Sequence, residues 1–393
     1  MRACLAFCSS RLITVLATLC FICGPAMASD AAHYVVTNDD SPPNLLNGIS
    51  IYNVGPNGNL TYRESIRPGG NGIGGGFFGM DRIRIVDNAG TQCIYFSQAF
   101  DGNIVGITMN GSVGGIVTGS SGDGGTTNGI GLAVSSQYLY AGFSDSNTIG
   151  TFLLESGCNL MFVSDTPVVG LQAGVIDAIT IHGNIMVVTY GDGSIESFNI
   201  AGGTPVSNGD EQNSTAAISS SGATYPSAVD ITQDGHFAIF GDTSTAAVVE
   251  VSDISSGQLT KTVPYQSVTT ISSSNIMLSP DETLLYVIGT QGDRLGALFF
   301  DKTNGTFSPG CESGLIRGYS QDWSYLGGIA LASNTGTGEE AYIAEFGAPS
   351  SIAMVRINSA AGKCSLSEAP NSPVADPYSP GLLSVGSFPP RSF

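Results

Sequence analysis

Residues 274–307 read SNIMLSPDETLLYVIGTQGDRLGALFFDKTNGTF. Ile276, Met277 and Leu278 form a short apolar run, closed by Ser279-Pro280-Asp281-Glu282. Proline presets the backbone angle of a turn, and aspartate bonds locally to the backbone. Leu284 to Ile288 is β-branched and aromatic, which suits a buried strand. Gly289 to Asp293 is turn-rich, and Leu295 to Phe300 reads as a third strand. Asn304-Gly305 then supplies the positive φ of a hairpin turn, and Thr306-Phe307 starts a fourth strand. A four-stranded antiparallel unit of this kind cannot bury both faces alone, so it needs a neighbour on each side.

The unit repeats. A bulky residue in the second strand recurs as Tyr34, Tyr95, Tyr140, Val187, Phe237, Tyr286 and Tyr342. The spacing is about 50 residues, and seven such copies predict an all-β, seven-bladed β-propeller of four-stranded antiparallel blades. No long 3.6-residue apolar pattern argues for helices in residues 29–393. The turn Asp253-Ile254-Ser255-Ser256-Gly257-Gln258-Leu259 repeats as Asp301 to Phe307 and, more loosely, as Val54 to Leu60.

HYVVTNDD (His33 to Asp40), SPDETLLYV (Ser279 to Val287) and the D-x-x-[ST]-G-x-L turn resemble the YVTN-type and lactonase-like (6-phosphogluconolactonase-type) seven-bladed propellers. As a repeat pattern the resemblance covers nearly the whole chain after residue 28. It implies the fold. For function it implies either a lactone hydrolase or a binding protein, because one fold hosts both.

The first 28 residues read as a secretory signal. Arg2 and Arg11 give a basic start, Leu12 to Cys23 an apolar core, and Ala26-Met27-Ala28 a cleavage site. The apolar run is short and is broken by Gly24-Pro25, against a spanning helix. Residues 29–393 are then a single domain, periplasmic or secreted. The full chain carries 13 Lys and Arg against 32 Asp and Glu, a formal charge of −19. Removing Arg2 and Arg11 leaves 11 − 32 = −21. That balance repels nucleic acid and anionic membranes and is compatible with cations, neutral glycans or basic partners. A monomer is expected.

Four of the eight cysteines lie beyond the signal: Cys93, Cys158, Cys311 and Cys364. Export makes disulfides plausible, and four cysteines allow three pairings. Cys93 and Cys158 fall in successive blades at one end of the strands, and Cys311 and Cys364 fall near the outer strands of blades six and seven. The expected pairs are Cys93–Cys158 and Cys311–Cys364.

Tyr34 follows the cleavage site almost at once, so the first blade lacks an inner strand. Residues 381–386, GLLSVG, are the apolar run left after the last blade. They are expected to pair beside His33 to Thr37 and close the ring, removing an open edge. The glycine-rich stretch 69–76 has no helix after it, so it reads as an inter-blade loop and not a dinucleotide loop. Residues 210–225 form the longest polar connection.

Chemistry-bearing residues are sparse. His33, His182 and His236 fall in different blades without metal-ligand spacing. Asp39, Asp145, Asp192 and Asp242 each stand five residues after the second-strand marker, with Asp101, Asp293 and Glu345 close to that offset. All lie by second-to-third-strand turns, which open on the face that also carries the inter-blade loops. A carboxylate ring there could hold Ca2+ or basic groups, although aspartate is also a common turn residue. Arg82 and Arg84 alternate at the inner strand of the second blade. A lactonase would need a base and an oxyanion-stabilising group. Asp192 with Arg82 or Arg84 are candidates, and the residues do not select the pair. A phosphosugar would need more cations than this chain offers. One Trp, Trp323, gives no support to a quinone-dependent oxidoreductase. The expected role is a non-catalytic binding scaffold for a protein, glycan or small molecule, with lactone hydrolysis as the alternative.

Overall fold

The computed structural model describes residues 33–42, 45–73, 81–118, 129–168, 175–213, 226–242, 248–267, 275–288, 294–317, 325–334, 338–346, 350–360, 362–378 and 384–388. The expected signal, residues 1–28, lies outside them. No helix among the described residues is long and apolar enough to cross a membrane.

The described strands form seven antiparallel sheets. Blade 1 holds β1 (Tyr34–Asn38), β2 (Ile49–Val54) and β3 (Leu60–Ile66). Blade 2 runs β4 (Ile83–Asn88), β5 (Thr91–Gln98), β6 (Asn103–Thr108) and β7 (Val113–Thr118). Blade 3 runs β8 (Ile130–Val134), β9 (Tyr138–Phe143), β10 (Thr148–Leu154) and β11 (Leu160–Pro167). Blade 4 has β12 (Ile176–His182), β13 (Ile185–Tyr190), β14 (Ser194–Asn199) and two short outer pieces, β15 (Val206–Ser207) and β16 (Gln212–Asn213). Blade 5 runs β17 (Pro226–Ile231), β18 (Phe237–Asp242), β19 (Val248–Asp253) and β20 (Thr260–Ser267). Blade 6 runs β21 (Asn275–Leu278), β22 (Leu284–Ile288), β23 (Gly296–Asp301) and β24 (Thr306–Glu312). Blade 7 runs β25 (Tyr325–Asn334), β26 (Gly338–Phe346), β27 (Ser351–Ala360) and β28 (Lys363–Glu368), with β29 (Val374–Ala375) also on β27.

The ring closes as expected. β30 (Ser384–Phe388) is the inner strand of blade 1 and pairs antiparallel with β1, Tyr34 opposite Phe388 and Asn38 opposite Ser384. The strand sits two to three residues later than the apolar run suggested. This register puts Val385 and Phe388 into two different inter-blade cores, while residues 381–383 lie outside the described residues. The inner strands then follow one another as a ring, β30, β4, β8, β12, β17, β21, β25 and back to β30. Their middle is the central channel.

The repeat marker has a structural reason: it packs against the next blade. Tyr95 joins the core between blades 2 and 3, Tyr140 that between 3 and 4, and Val187 that between 4 and 5. Phe237, Tyr286 and Tyr342 repeat this between blades 5 and 6, 6 and 7, and 7 and 1. Where the marker is a tyrosine, its hydroxyl can bond to the next blade. Tyr140 donates to the Gly203 carbonyl at 2.7 Å and Tyr342 to the Gly58 carbonyl at 2.9 Å, each in the following blade. Burial pushes the Tyr140 hydroxyl up to about 12.

Blade 4 departs from four whole strands. Its outer strand is broken at Asn208-Gly209-Asp210, whose groups take over the backbone of β14. The Asn208 amide donates to the Ser197 carbonyl at 3.0 Å, and Ser197 N donates to Asp210 Oδ1 at 2.9 Å.

Both expected disulfides form. Cys93 of β5 bonds Cys158, in the one-turn helix Ser156–Cys158 of blade 3, and Cys311 of β24 bonds Cys364 of β28. Each staples neighbouring blades. Cys93 and Cys158 are 65 residues apart in sequence, so their bond constrains a long loop in the unfolded chain. Replacing both by serine should cost ~4 kcal/mol, read as an earlier denaturant midpoint. An unchanged midpoint would mean the staple contributes nothing.

Candidate functional site

In each blade the loop entering the inner strand and the turn between the second and third strands lie at the same end of the sheet. At that mouth of the channel the inner-strand ring carries charge. Arg82 directly precedes β4 and pairs through Nη1 with Asp40 Oδ2 of blade 1, and both side chains are 1% exposed. An arginine and a carboxylate leave water at such cost that they must be paired.

The local fold fixes this pair. Asp40 sits in the turn after β1 with φ 46°, a left-handed conformation that Asp tolerates better than most residues. Asn38 Oδ1 accepts from the Asp40 amide at 3.2 Å, and Asp40 Oδ1 accepts from Ile73 N at 3.3 Å. The Arg82 amide donates to Ser384 Oγ of β30 at 3.1 Å. Asn38 Nδ2 donates to the carbonyls of Arg82 (3.4 Å) and Ser97 (3.0 Å). Arg82 therefore ties together the closing strand, the first turn of blade 1 and blade 2.

A second buried carboxyl, Asp177, stands in the inner strand of blade 4. β12 pairs with β13 through Ile176 opposite Tyr190 and Ala178 opposite Thr189, so Asp177 is the extra residue of a bulge. A bulge re-aims a side chain and recurs beside sites at barrel rims. Ile176 and Ile179 pack toward blade 3 and Ala178 toward blade 5, while Asp177 joins neither core. It is 2% exposed, and its Oδ1 has no hydrogen-bond partner among the described residues. Burial holds its carboxyl well above the usual range, and the Arg82 charge opposes that shift. Both groups belong to the inner-strand ring, Arg82 directly before β4 and Asp177 near the start of β12. The inner strands of blades 5 and 7 are also irregular at this end, between Pro226 and Ala228 and between Leu326 and Ile329.

The arrangement is an anion–cation–carboxyl series, Asp40, Arg82, Asp177. A carboxyl with a raised pKa can donate a hydrogen bond or move a proton near neutral pH. The Arg82 charge is largely spent on Asp40.

The turn carboxylates whose contacts are described are mostly held within their own blades. Asp39 is buried in blade 1, hydrogen-bonded by Thr37 Oγ1 (2.8 Å) and Ser50 Oγ (3.3 Å). Asp101 accepts from Asn71 N at 2.6 Å, pinning the connection between blades 1 and 2. Asp192 accepts from Ser194 N (2.9 Å) and Oγ (2.7 Å) within its own turn. Asp145 is exposed, and Glu345 is buried beside Ser351, its carboxyl pushed up to about 7 by burial. Asp242 ends β18, and Asp293 lies outside the described residues. Among the described residues no group of three or more His, Cys, Asp or Glu is placed to hold a metal. Arg84 is half-buried and paired with Asp81 at 2.9 Å. Arg317 pairs with Glu368 at 3.1 Å, and His236 with Asp253 at 3.3 Å.

Sequence reasoning missed Asp40 and Asp177. Asp177 carried a signal: it is the one charge in the apolar run Gly174 to Ile181, and a charge in a strand buried on both faces marks a special position.

No family model matches the chain, and no curated protein matches it by sequence. Solved structures share the fold. A functionally unknown protein from Desulfotomaculum acetoxidans is 16% identical with a TM-score of 0.63, covering 90% of this chain and 98% of that one. A candidate 6-phosphogluconolactonase from Bacteroides fragilis is 13% identical with a TM-score of 0.63, over the same shares. The periplasmic gluconolactonase PpgL of Pseudomonas aeruginosa is 16% identical with a TM-score of 0.55, covering 72% of this chain and 82% of that one. The fold that these structures share with this chain is the seven-bladed β-propeller.

Proposed function

We propose that this is an exported propeller that binds a small polar ligand at the connection-face mouth of its central channel. One observation carries the reading: Asp177, at a bulge of its strand, keeps a buried carboxyl oxygen without a hydrogen-bond partner among the described residues. Such an oxygen is costly unless a ligand or water completes it. The two inter-blade disulfides support a location outside the reducing cytosol. The signal read in residues 1–28 supports export in the same direction. The rigid disc and its loops also fit a binding role.

A second reading, lactone hydrolysis, is favoured by the same residue. A carboxyl raised by burial is the kind of group that takes a proton from an attacking water. Two of the structural neighbours are named as gluconolactonases. Arg82 is held by Asp40, so its help to a developing oxyanion would be partial.

A panel of simple lactones, sugar lactones, neutral sugars, Ca2+ and Mg2+ separates the readings. Thermal shift detects binding, and a pH indicator detects hydrolysis. The binding reading expects a saturable shift for at least one compound without acid release. Acid release that Asp177→Asn abolishes would make the protein an enzyme. No shift and no turnover across the panel would overturn both.

A further inference from the structure

We propose that Asp39, set against Asp376 across the Thr37 hydroxyl, keeps its proton and forms an acid-tightened latch on the junction where the chain closes its ring. Asp376 follows β29, in the segment leading from blade 7 to the closing strand, and its amide donates to Ser350 O at 2.9 Å. Asp39 directly follows β1, at the start of the first turn of blade 1, and both residues are buried.

The hydrogen count at Thr37 carries the argument. Thr37 Oγ1 lies 2.8 Å from Asp39 Oδ1 and 3.2 Å from Asp376 Oδ2. It also accepts from Ser50 N at 3.2 Å. A hydroxyl has one hydrogen, so it can donate to only one of the two carboxyl groups. The Tyr52 hydroxyl spends its hydrogen on Asp376 Oδ2 at 3.0 Å, and Tyr378 N donates to Asp376 Oδ1 at 2.9 Å. The remaining oxygen–oxygen contact at Thr37 is attractive only when one carboxyl carries a proton and donates it. Two ionised carboxylates sharing one buried hydroxyl would repel instead.

The surrounding charges agree. Burial first, then the charge of Asp376, push Asp39 up to about 7, while hydrogen bonds from Thr37 and Ser50 and the charge of Arg67 pull it down. Arg67 is turned partly away, stacked on the Tyr378 ring at 4.5 Å. The carboxyl of Asp40 is next in the chain and is paired with Arg82. The sign follows. The folded carboxyl ionises at a higher pH than the unfolded one, whose value is 3.8. The latch's stability is complete below that lower value and is lost as pH rises toward about 7.

Hydrogen exchange on the whole protein tests this, read at the amides of β30 between about pH 5 and about pH 7.5 and corrected for the intrinsic pH dependence of exchange. One proton linked to opening changes protection by up to about tenfold per pH unit. Protection of β30 should fall at least about tenfold across the range, relative to β9 of blade 3. Asp376→Asn removes one charge and should hold the change within about threefold. Should that variant fail to fold, Asp39→Asn replaces it. Constant protection of β30 in the native protein, or the same fall in the native protein and the variant, would overturn the latch.

Discussion

Replacing Arg82 by alanine should destabilise the protein by ~3–5 kcal/mol, the cost of stranding a buried charge. Asp40 is 1% exposed and would lose its partner. Asp177 would lose the Arg82 charge, which favours its ionised form. The loss should be largely reversed by Asp40→Asn with Arg82→Met, because well-packed neutral groups can replace a buried ion pair at little cost. Denaturant unfolding of the three proteins checks this. A loss below ~1 kcal/mol for Arg82→Ala would mean the pair does not hold blades 1 and 2 together.

Deleting residues 379–393 should have an effect of similar size or larger. The deletion removes β30, so β1 loses its ladder partner along its whole length. Val385 and Phe388 leave their cores, at roughly 1.5–3 kcal/mol each, and Ser384 no longer accepts from the Arg82 amide. Total stabilities of ~5–15 kcal/mol leave little margin for this, and the open edge of β1 invites association. The shortened chain should melt at least ~10 °C lower. A synthetic peptide of residues 379–393 should recover part of the difference by refilling the edge. A melting curve identical to that of the full chain would contradict the closure.

Much of the fold was legible because it is local and repeated. The marker tyrosines, the Asn-Gly and Pro-Asp turns and the late apolar run each state a rule that the neighbouring blade completes. The cysteine pairs followed from the blade count, since each cysteine could be placed on a strand and an end. The site was less legible, for two physical reasons. A turn aspartate that bonds its own backbone, as Asp192 does with Ser194, has the same spacing as one that faces a channel. Asp177 leaves both flanking cores because a bulge breaks the alternation of β12, and a one-residue bulge leaves no spacing signature. Asp376 was invisible for a third reason. It meets Asp39 through Thr37 and Tyr52, whose positions lie more than 300 residues away in sequence and are brought near by ring closure alone.

These carboxyls share a tendency. Asp39, Asp177 and Glu345 all sit at or beside the connection face, and burial raises each of them.

The most direct test of the mouth as a ligand site is calorimetric titration of the strongest binder in the panel into the native protein and into Asp177→Asn. The variant should fold, because it only neutralises a carboxyl whose ionised form is already disfavoured by burial. Losing a buried, oriented polar contact of ~1.5–3 kcal/mol predicts an affinity at least about tenfold weaker. Equal affinity in the two proteins would place the ligand elsewhere and contradict the assignment of the channel mouth.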